Sequence, residues 1–170
     1  KLLETMPTPF NVQSTRILLL FNEQHRELWS ILMDIFREML PPDRFEKSRQ
    51  KIETAFMAGR GTLLFYEDSE ALDTMRREYS MYANNVDTWA EHASAMFQFA
   101  VWTSLAEFGY GASLQHYNPL IDKAVAERWM VNPNWRLIAQ MPFGFPLDIP
   151  SERLQRSSPH ERRIVFGEER

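Results

Sequence analysis

The chain has 170 residues, 44 % of them hydrophobic and 25 % charged, with a formal net charge of −4. That length gives one domain with a real core and is too short for two ordinary ones, and the acidic balance argues against a nucleic-acid partner. The absence of Cys excludes disulfide scaffolds, thiolate metal sites and Cys nucleophiles.

Lys1-Leu2-Leu3-Glu4 reads as the end of a helix, which predicts a native chain that starts further upstream. The apolar run Ile17–Phe21 reads as a buried strand, with a helix as the alternative that periodicity alone leaves open. Asn22 is placed to cap the next helix. There, Leu28, Leu32, Ile35 and Met39 recur at helical spacing from Gln24 to Leu40, and Pro41-Pro42 stops the helix. A second helix is predicted over Asp43–Ala58, with Phe45, Ile52, Ala55 and Phe56 on one face and Gly59 and Gly61 at its end. Gly61–Glu67 reads as a strand, and Asp68 as the cap of a short helix bearing Leu72, Met75 and Tyr79.

Thr88–Phe108 is the most helical stretch, and Thr88 with Glu91 has capping-box spacing. Trp89, Ala93, Met96, Phe97, Ala100, Leu105 and Phe108 form one stripe, while Phe99, Trp102 and Ala106 add a second apolar side. A helix apolar around most of its circumference is central to the fold or covered by a partner subunit. Ala112–Gln115 is a short strand candidate, Asn118-Pro119 a turn, Leu120–Trp129 a helix and Trp135–Met141 a strand ending in Pro142-Phe143-Gly144. Pro146–Pro159 has no clean period and reads as an arm, and Arg163–Phe166 as a last short strand. This order of helices and single strands predicts an α+β or α/β domain. No apolar run is long enough to span a membrane and no signal peptide is visible, so the expected location is the cytoplasm, without a membrane partner.

Phosphate-binding glycine loops, nucleophile elbows and zinc-protease motifs are all absent from the sequence. The four His are scattered without metal-ligand spacing. Two segments stand apart from plain scaffold. In Pro7-Thr8-Pro9-Phe10-Asn11-Val12-Gln13-Ser14-Thr15-Arg16, two prolines fix an irregular backbone, and several polar side chains come after them. The segment reads as a loop bonding its own backbone or as a ligand site. In Gly109-Tyr110-Gly111-Ala112-Ser113-Leu114-Gln115-His116-Tyr117-Asn118-Pro119, small residues allow close approach of something flat. The alternative there is a tight turn after a buried helix.

These two segments, with AQMPFG at 139–144, the acidic strand end Leu64–Asp68, the stretch from Tyr82 to Met96 and the closing Val165-Phe166-Gly167, resemble the nitroreductase superfamily. More narrowly they are similar to the small flavoproteins named after the fungal fatty-acid-repression mutant protein. The resemblance implies an α+β fold with an antiparallel central sheet flanked by helices. It implies a single domain over 1–170 in a domain-swapped homodimer, with the arm 146–170 reaching the partner subunit and FMN between the two copies. Pro7, Thr8, Pro9, Asn11 and Gln13 would line the flavin from one subunit. Gln115, His116, Tyr117 and Asn118 would form the loop beside its reactive edge, with a backbone N–H directed at N5. Arg162 or Arg163 would hold the phosphate. Tyr117, His116 and Phe143 would wall the substrate, with core packing as the other reading of Phe143.

The implied activity is reduction of nitroaromatics or quinones by NADH or NADPH through the flavin. No catalytic side chain is then required, because the cofactor supplies the chemistry. The family's Arg-rich phosphate motif has no counterpart in the sequence, so it lies upstream of Lys1 or is lost. Two rival readings are a non-enzymatic flavin-binding regulator of lipid or redox stress responses on the same fold, and a dimeric interaction domain without a ligand.

Overall fold

The computed structural model describes residues 1–148, 156–158 and 162–166. A single helical turn, α1 (Leu2–Thr5), ends where Pro7 approaches. A 3-10 turn (Pro9–Asn11) leads to β1 (Thr15–Phe21), which the apolar run predicted as a strand. Helix α2 (Asn22–Met39) begins at once. Asn22 is not its cap: it sits inside the first turn at φ 51°, and its side-chain oxygen instead accepts from Arg60. His25, Leu28, Trp29 and Leu32 bury one face of α2.

Pro42 then opens α3 (Pro42–Lys51), where its missing N–H costs nothing. The predicted helix 43–58 does not stay α-helical. From Ile52 to Met57 it widens into a π-type turn, with the Ala58 N–H donating to the Glu53 carbonyl. The wider turn still brings Ile52 and Phe56 into the core.

Strand β2 (Gly61–Asp68) is buried along nearly its whole length, as a central strand must be. The Asp68 carboxylate then accepts the Glu70 N–H and caps α4 (Ser69–Glu78), as expected. A 3-10 stretch (Ser80–Asn85) leads into α5 (Val86–Glu107). The Thr88–Glu91 capping box does not form, because the helix has already begun two residues earlier. Strand β3 is only Gly111–Ala112, with an isolated bridge at Gln115, and α6 (Asp122–Trp129) and β4 (Trp135–Gly144) complete the described elements. Arg163–Phe166 forms no strand in the single chain, and most of the predicted arm lies outside the described residues. Ile164, Val165 and Phe166 are exposed.

The four strands pair antiparallel in the order β1-β2-β4-β3, giving the expected α+β architecture. One face carries Leu20, Leu64, Tyr66 and Leu137 against α2, the Ile52–Met57 turn and α6. The other carries Leu63, Phe65, Ala139 and Met141 against Phe97 and Val101 of α5. Leu137 and Ala139 share parity yet face opposite ways. The ladder pairs Phe65 with Ala139 but Tyr66 with Leu137, so Ile138 is an extra residue that reverses the alternation.

Helix α5 buries only one side. Phe97 and Val101 face the sheet and Val86 and Ala90 pack on Leu72 and Met75 of α4, while Phe99 and Phe108 are 68 % and 74 % exposed and Met96 and Trp102 stand beside them. Among the described residues no helix is long and apolar enough to cross a membrane.

His25 is buried between the Thr62 hydroxyl (2.8 Å) and the Met57 carbonyl (3.3 Å), and that burial lowers its pKa. The unfolded chain therefore binds a proton that the folded chain resists. Stability is present above the ordinary imidazole value of about 6.5 and is lost as pH falls through the folded value. Melting temperature is expected to fall between about pH 7 and about pH 5, and the drop should shrink in His25→Asn. An equal drop in that variant would place its source elsewhere.

Candidate functional site

The first half of the site is the turn from Pro7 to Gln13. Asn11 N–H donates to the Thr8 carbonyl at 3.1 Å, and Gln13 N–H to the Thr8 hydroxyl at 3.1 Å. Phe10, Asn11 and Gln13 all have positive φ (48°, 57° and 50°) although none is glycine. Such backbone costs on the order of 1 kcal/mol per residue or more, and persists only where its surroundings hold it. Phe10 is held by stacking on Tyr79, with centroids 4.1 Å apart, and by Tyr82 and Trp89 behind it. Tyr79, predicted to belong to the face of α4, thus serves this turn.

The side chains of Asn11 and Gln13 are exposed and have no partner among the described residues. An apolar groove of about 430 Å³ runs between Pro7, Pro9 and Phe10 on one side and Trp89, His92 and Met96 on the other. A second cavity of about 320 Å³ lies behind the turn and is lined by Thr8, Gln13, Arg16, Phe97 and Trp135 among others.

The turn is anchored at its exit. Ser14, 1 % exposed, donates to Glu67 Oε2 at 2.5 Å, and the Thr15 hydroxyl donates to Oε1 at 2.9 Å. Arg16 donates to the Gln13 carbonyl (2.6 Å) and to Asp68 (2.8 Å). Burial pushes the Glu67 pKa up, and the two hydroxyls and the charges of Arg136 and Arg16 oppose that rise.

The second half is the loop after β3. Gln115 and Gln140 exchange backbone hydrogen bonds of 2.7 and 2.9 Å. The fully buried Gln140 side chain accepts the Tyr117 N–H at 2.8 Å and reaches Asn118 at 3.4 Å. The Tyr117 ring turns inward against Trp29, Phe36 and Phe56, so it anchors the loop to the core, and burial raises its pKa. His116 is exposed, and its N–H has no acceptor among the described residues. Phe143 is 7 % exposed and makes edge contacts with Phe21 and Tyr110, surroundings that fit the core-packing reading. Arg162 and Arg163 are exposed, and Arg162 donates to the Ser157 carbonyl at 3.2 Å.

The two halves do not meet within one chain. The turn enters β1, the strand at one edge, while Gln115 pairs with β4 beyond β2. Three strand spacings separate them, on the order of 14 Å. Glu67 and Gln140, which hold the two halves, were not among the expected site residues. Each is a polar residue in a mainly apolar strand, a signal that marks the residue without giving its partner.

The profile of the nitroreductase family matches residues 2–145. Two curated proteins of Saccharomyces cerevisiae, the putative nitroreductase HBN1 and the nitroreductase FRM2, are each 27 % identical over 152 residues, 89 % of this chain and 74 % of theirs. Among solved structures, nitroreductase CinD from Lactococcus lactis in complex with chloramphenicol superposes with a TM-score of 0.85 at 34 % identity, covering 97 % of this chain and 83 % of that one. The FMN-dependent nitroreductase NfnB from Mycobacterium smegmatis, in complex with NADPH, shares the fold at a TM-score of 0.71 and 11 % identity, over 97 % of this chain and 84 % of its own. With a profile match over residues 2–145 and a sheet of the same fold, this chain belongs to the nitroreductase family, on the branch that includes the yeast pair.

Proposed function

We propose that this oxidoreductase is an FMN-dependent homodimer that reduces nitroaromatics or quinones with electrons from NADH or NADPH. The observation that carries the reading is the pair of polar segments at opposite sides of the sheet, each with polar groups that have no partner among the described residues. A second copy, set against the exposed face of α5, would bring one half of each chain to the other half of its partner. That cover would also remove Met96, Phe99 and Trp102 from water, at about 25 cal/mol per Å² of apolar surface.

The donor set fits a flavin. Asn11 and Gln13 offer amides with no partner among the described residues for carbonyl and ribityl oxygens. Pro7, Pro9 and Phe10 offer an apolar wall for a flat ring. In the Gln115–Asn118 loop, the N–H groups of Gln115 and Tyr117 already donate to Gln140, while those of His116 and Asn118 have no acceptor among the described residues, so one of these two would meet flavin N5. Arg162 or Arg163 suits the phosphate. Bound FMN supplies two-electron chemistry, accepting a hydride and passing electrons on to the acceptor. The chain's own residues orient the rings, exclude water and hold the N–H donor still. His116 and the edge of Tyr117 would flank the acceptor.

Protein purified with its native N-terminus is expected to be yellow and to bleach on addition of NADH or NADPH. Steady oxidation of the nicotinamide with a quinone or a nitroarene supports the enzyme. A flavin bound without turnover would support the regulator instead. Colourless protein that FMN does not reconstitute rules out both.

A further inference from the structure

We infer that Glu67 is a positioning residue for the Pro7–Gln13 turn, holding it in its ligand-ready shape through Ser14 and Thr15. The inference rests on the proposal that this turn lines the flavin.

Three observations converge. The turn has three non-glycine residues at positive φ within four positions, Phe10, Asn11 and Gln13, so its geometry is not self-sustaining. Its local bonds, from Asn11 and Gln13 to Thr8 and from Val12 to Pro9, close the loop on itself, and Phe10 and Val12 pack it against α4 and α5, but none of these contacts reaches the sheet. The ties to the sheet come at Ser14–Arg16. There the Asp68 N–H donates to the Ser14 carbonyl, and both hydroxyls donate to one carboxylate.

That carboxylate is an unexpected choice on stability grounds. Glu67 is fully buried and comes after Leu63 and Phe65 on the α5 face of β2, where an apolar side chain would fill the space without desolvating a charge. What a leucine could not do is accept from Ser14, the residue just before the ladder starts, and from Thr15, its register partner, at the same time. A two-oxygen acceptor at this position fixes the last residues of the turn as well as the first of the strand. Arg16, bonded to Asp68 and to the Gln13 carbonyl, extends the clamp by one step.

The test compares Glu67→Leu, Glu67→Gln and the Ser14→Ala/Thr15→Val double variant with the parent chain. Leu32→Ala serves as a control, since it opens a cavity on the opposite face of the sheet. Two readouts are taken: hydrogen exchange of the amides of residues 10–13, and the FMN dissociation constant from quenching of flavin fluorescence. In Glu67→Leu the turn amides should exchange at least about tenfold faster and FMN should bind at least about tenfold more weakly, with the double variant alike. Glu67→Gln keeps one carbonyl oxygen and should recover part of both. The control should shift the melting temperature without speeding exchange in the turn.

Unchanged exchange in the turn, or equal acceleration in the control, overturns the inference. So does faster exchange with unaltered FMN affinity. If Glu67→Leu does not fold, the double variant decides by the same criteria. If the parent chain itself binds no FMN, the flavin reading is what fails, and exchange in the turn still decides whether Glu67 holds it.

Discussion

Phe99→Glu is expected to turn the protein into a monomer that no longer retains FMN. Phe99 is 68 % exposed in the single chain, on the side of α5 that also carries Met96, Trp102 and Phe108. A monomer rarely leaves so long an apolar stripe in water, whereas an obligate interface is built from one. A carboxylate at the centre of that face must be desolvated without a partner in each of two copies, at a cost of several kcal/mol per dimer. The fold itself should survive, because Phe99 is mostly exposed and belongs to no buried cluster of its own chain. The expected signature is therefore a halved mass by analytical ultracentrifugation, a far-ultraviolet spectrum like that of the parent, and an FMN dissociation constant raised at least about a hundredfold, which is roughly 2.7 kcal/mol. A variant that still runs as a dimer, or a monomer that keeps its FMN, would contradict the shared-site proposal.

Trp29→Ala should have the largest effect on stability. Trp29 is fully buried on α2, 4.7 Å from the Phe56 ring and at right angles to Tyr117, and its indole N–H donates to the Thr62 hydroxyl at 3.0 Å. Truncating a buried Trp removes about 3–5 kcal/mol. The lost hydrogen bond adds about 1 kcal/mol. For a domain of this size each kcal/mol corresponds to roughly 2–4 °C, so the melting temperature should drop by about 10–20 °C. The effect should also reach the site. Tyr117 loses one of the rings that anchor it, so the Gln115–Asn118 loop should loosen and FMN affinity should fall together with stability. A drop of only a few degrees would mean that the core collapses around the gap more freely than these contacts suggest.

Much of this could be read from the residues alone, and the failures share a cause. Ile17–Phe21 and Gly61–Glu67 emerge as strands because continuous apolar runs have no other home in a small domain. The α2 helix emerges because Leu28 and Leu32 repeat at its period and Pro41 ends it. Capping was legible at Asp68, where the carboxylate and the helix start are adjacent. It was misread at Asn22 and Thr88, where the true starts are set by the strand before α2 and by the 3-10 stretch before α5. The site divides in the same way. The Pro7–Gln13 and Gln115–Asn118 segments stand out because they are polar and irregular. Glu67 and Gln140 do not, because their roles depend on which residue lies across the ladder, and pairing partners are not written in either strand. The widened Ile52–Met57 turn left no trace in the side-chain pattern, since Ile52 and Phe56 meet the core in an α or a π turn alike.

Ile138 carries a consequence for how this family can drift. One surplus residue in the last strand lets Leu137 and Ala139 face opposite layers, so it is the one place where that strand can change length without turning its neighbours over. Deleting Ile138 itself would leave Ala139 opposite Phe65 and Leu137 opposite Tyr66 on a regular ladder, whereas losing Arg136 would turn Trp135 away from α2 and put Asn134 in its place. Descendants of this chain can lose the surplus residue and keep every facing side chain, but a one-residue gap elsewhere in the strand amounts to a different protein.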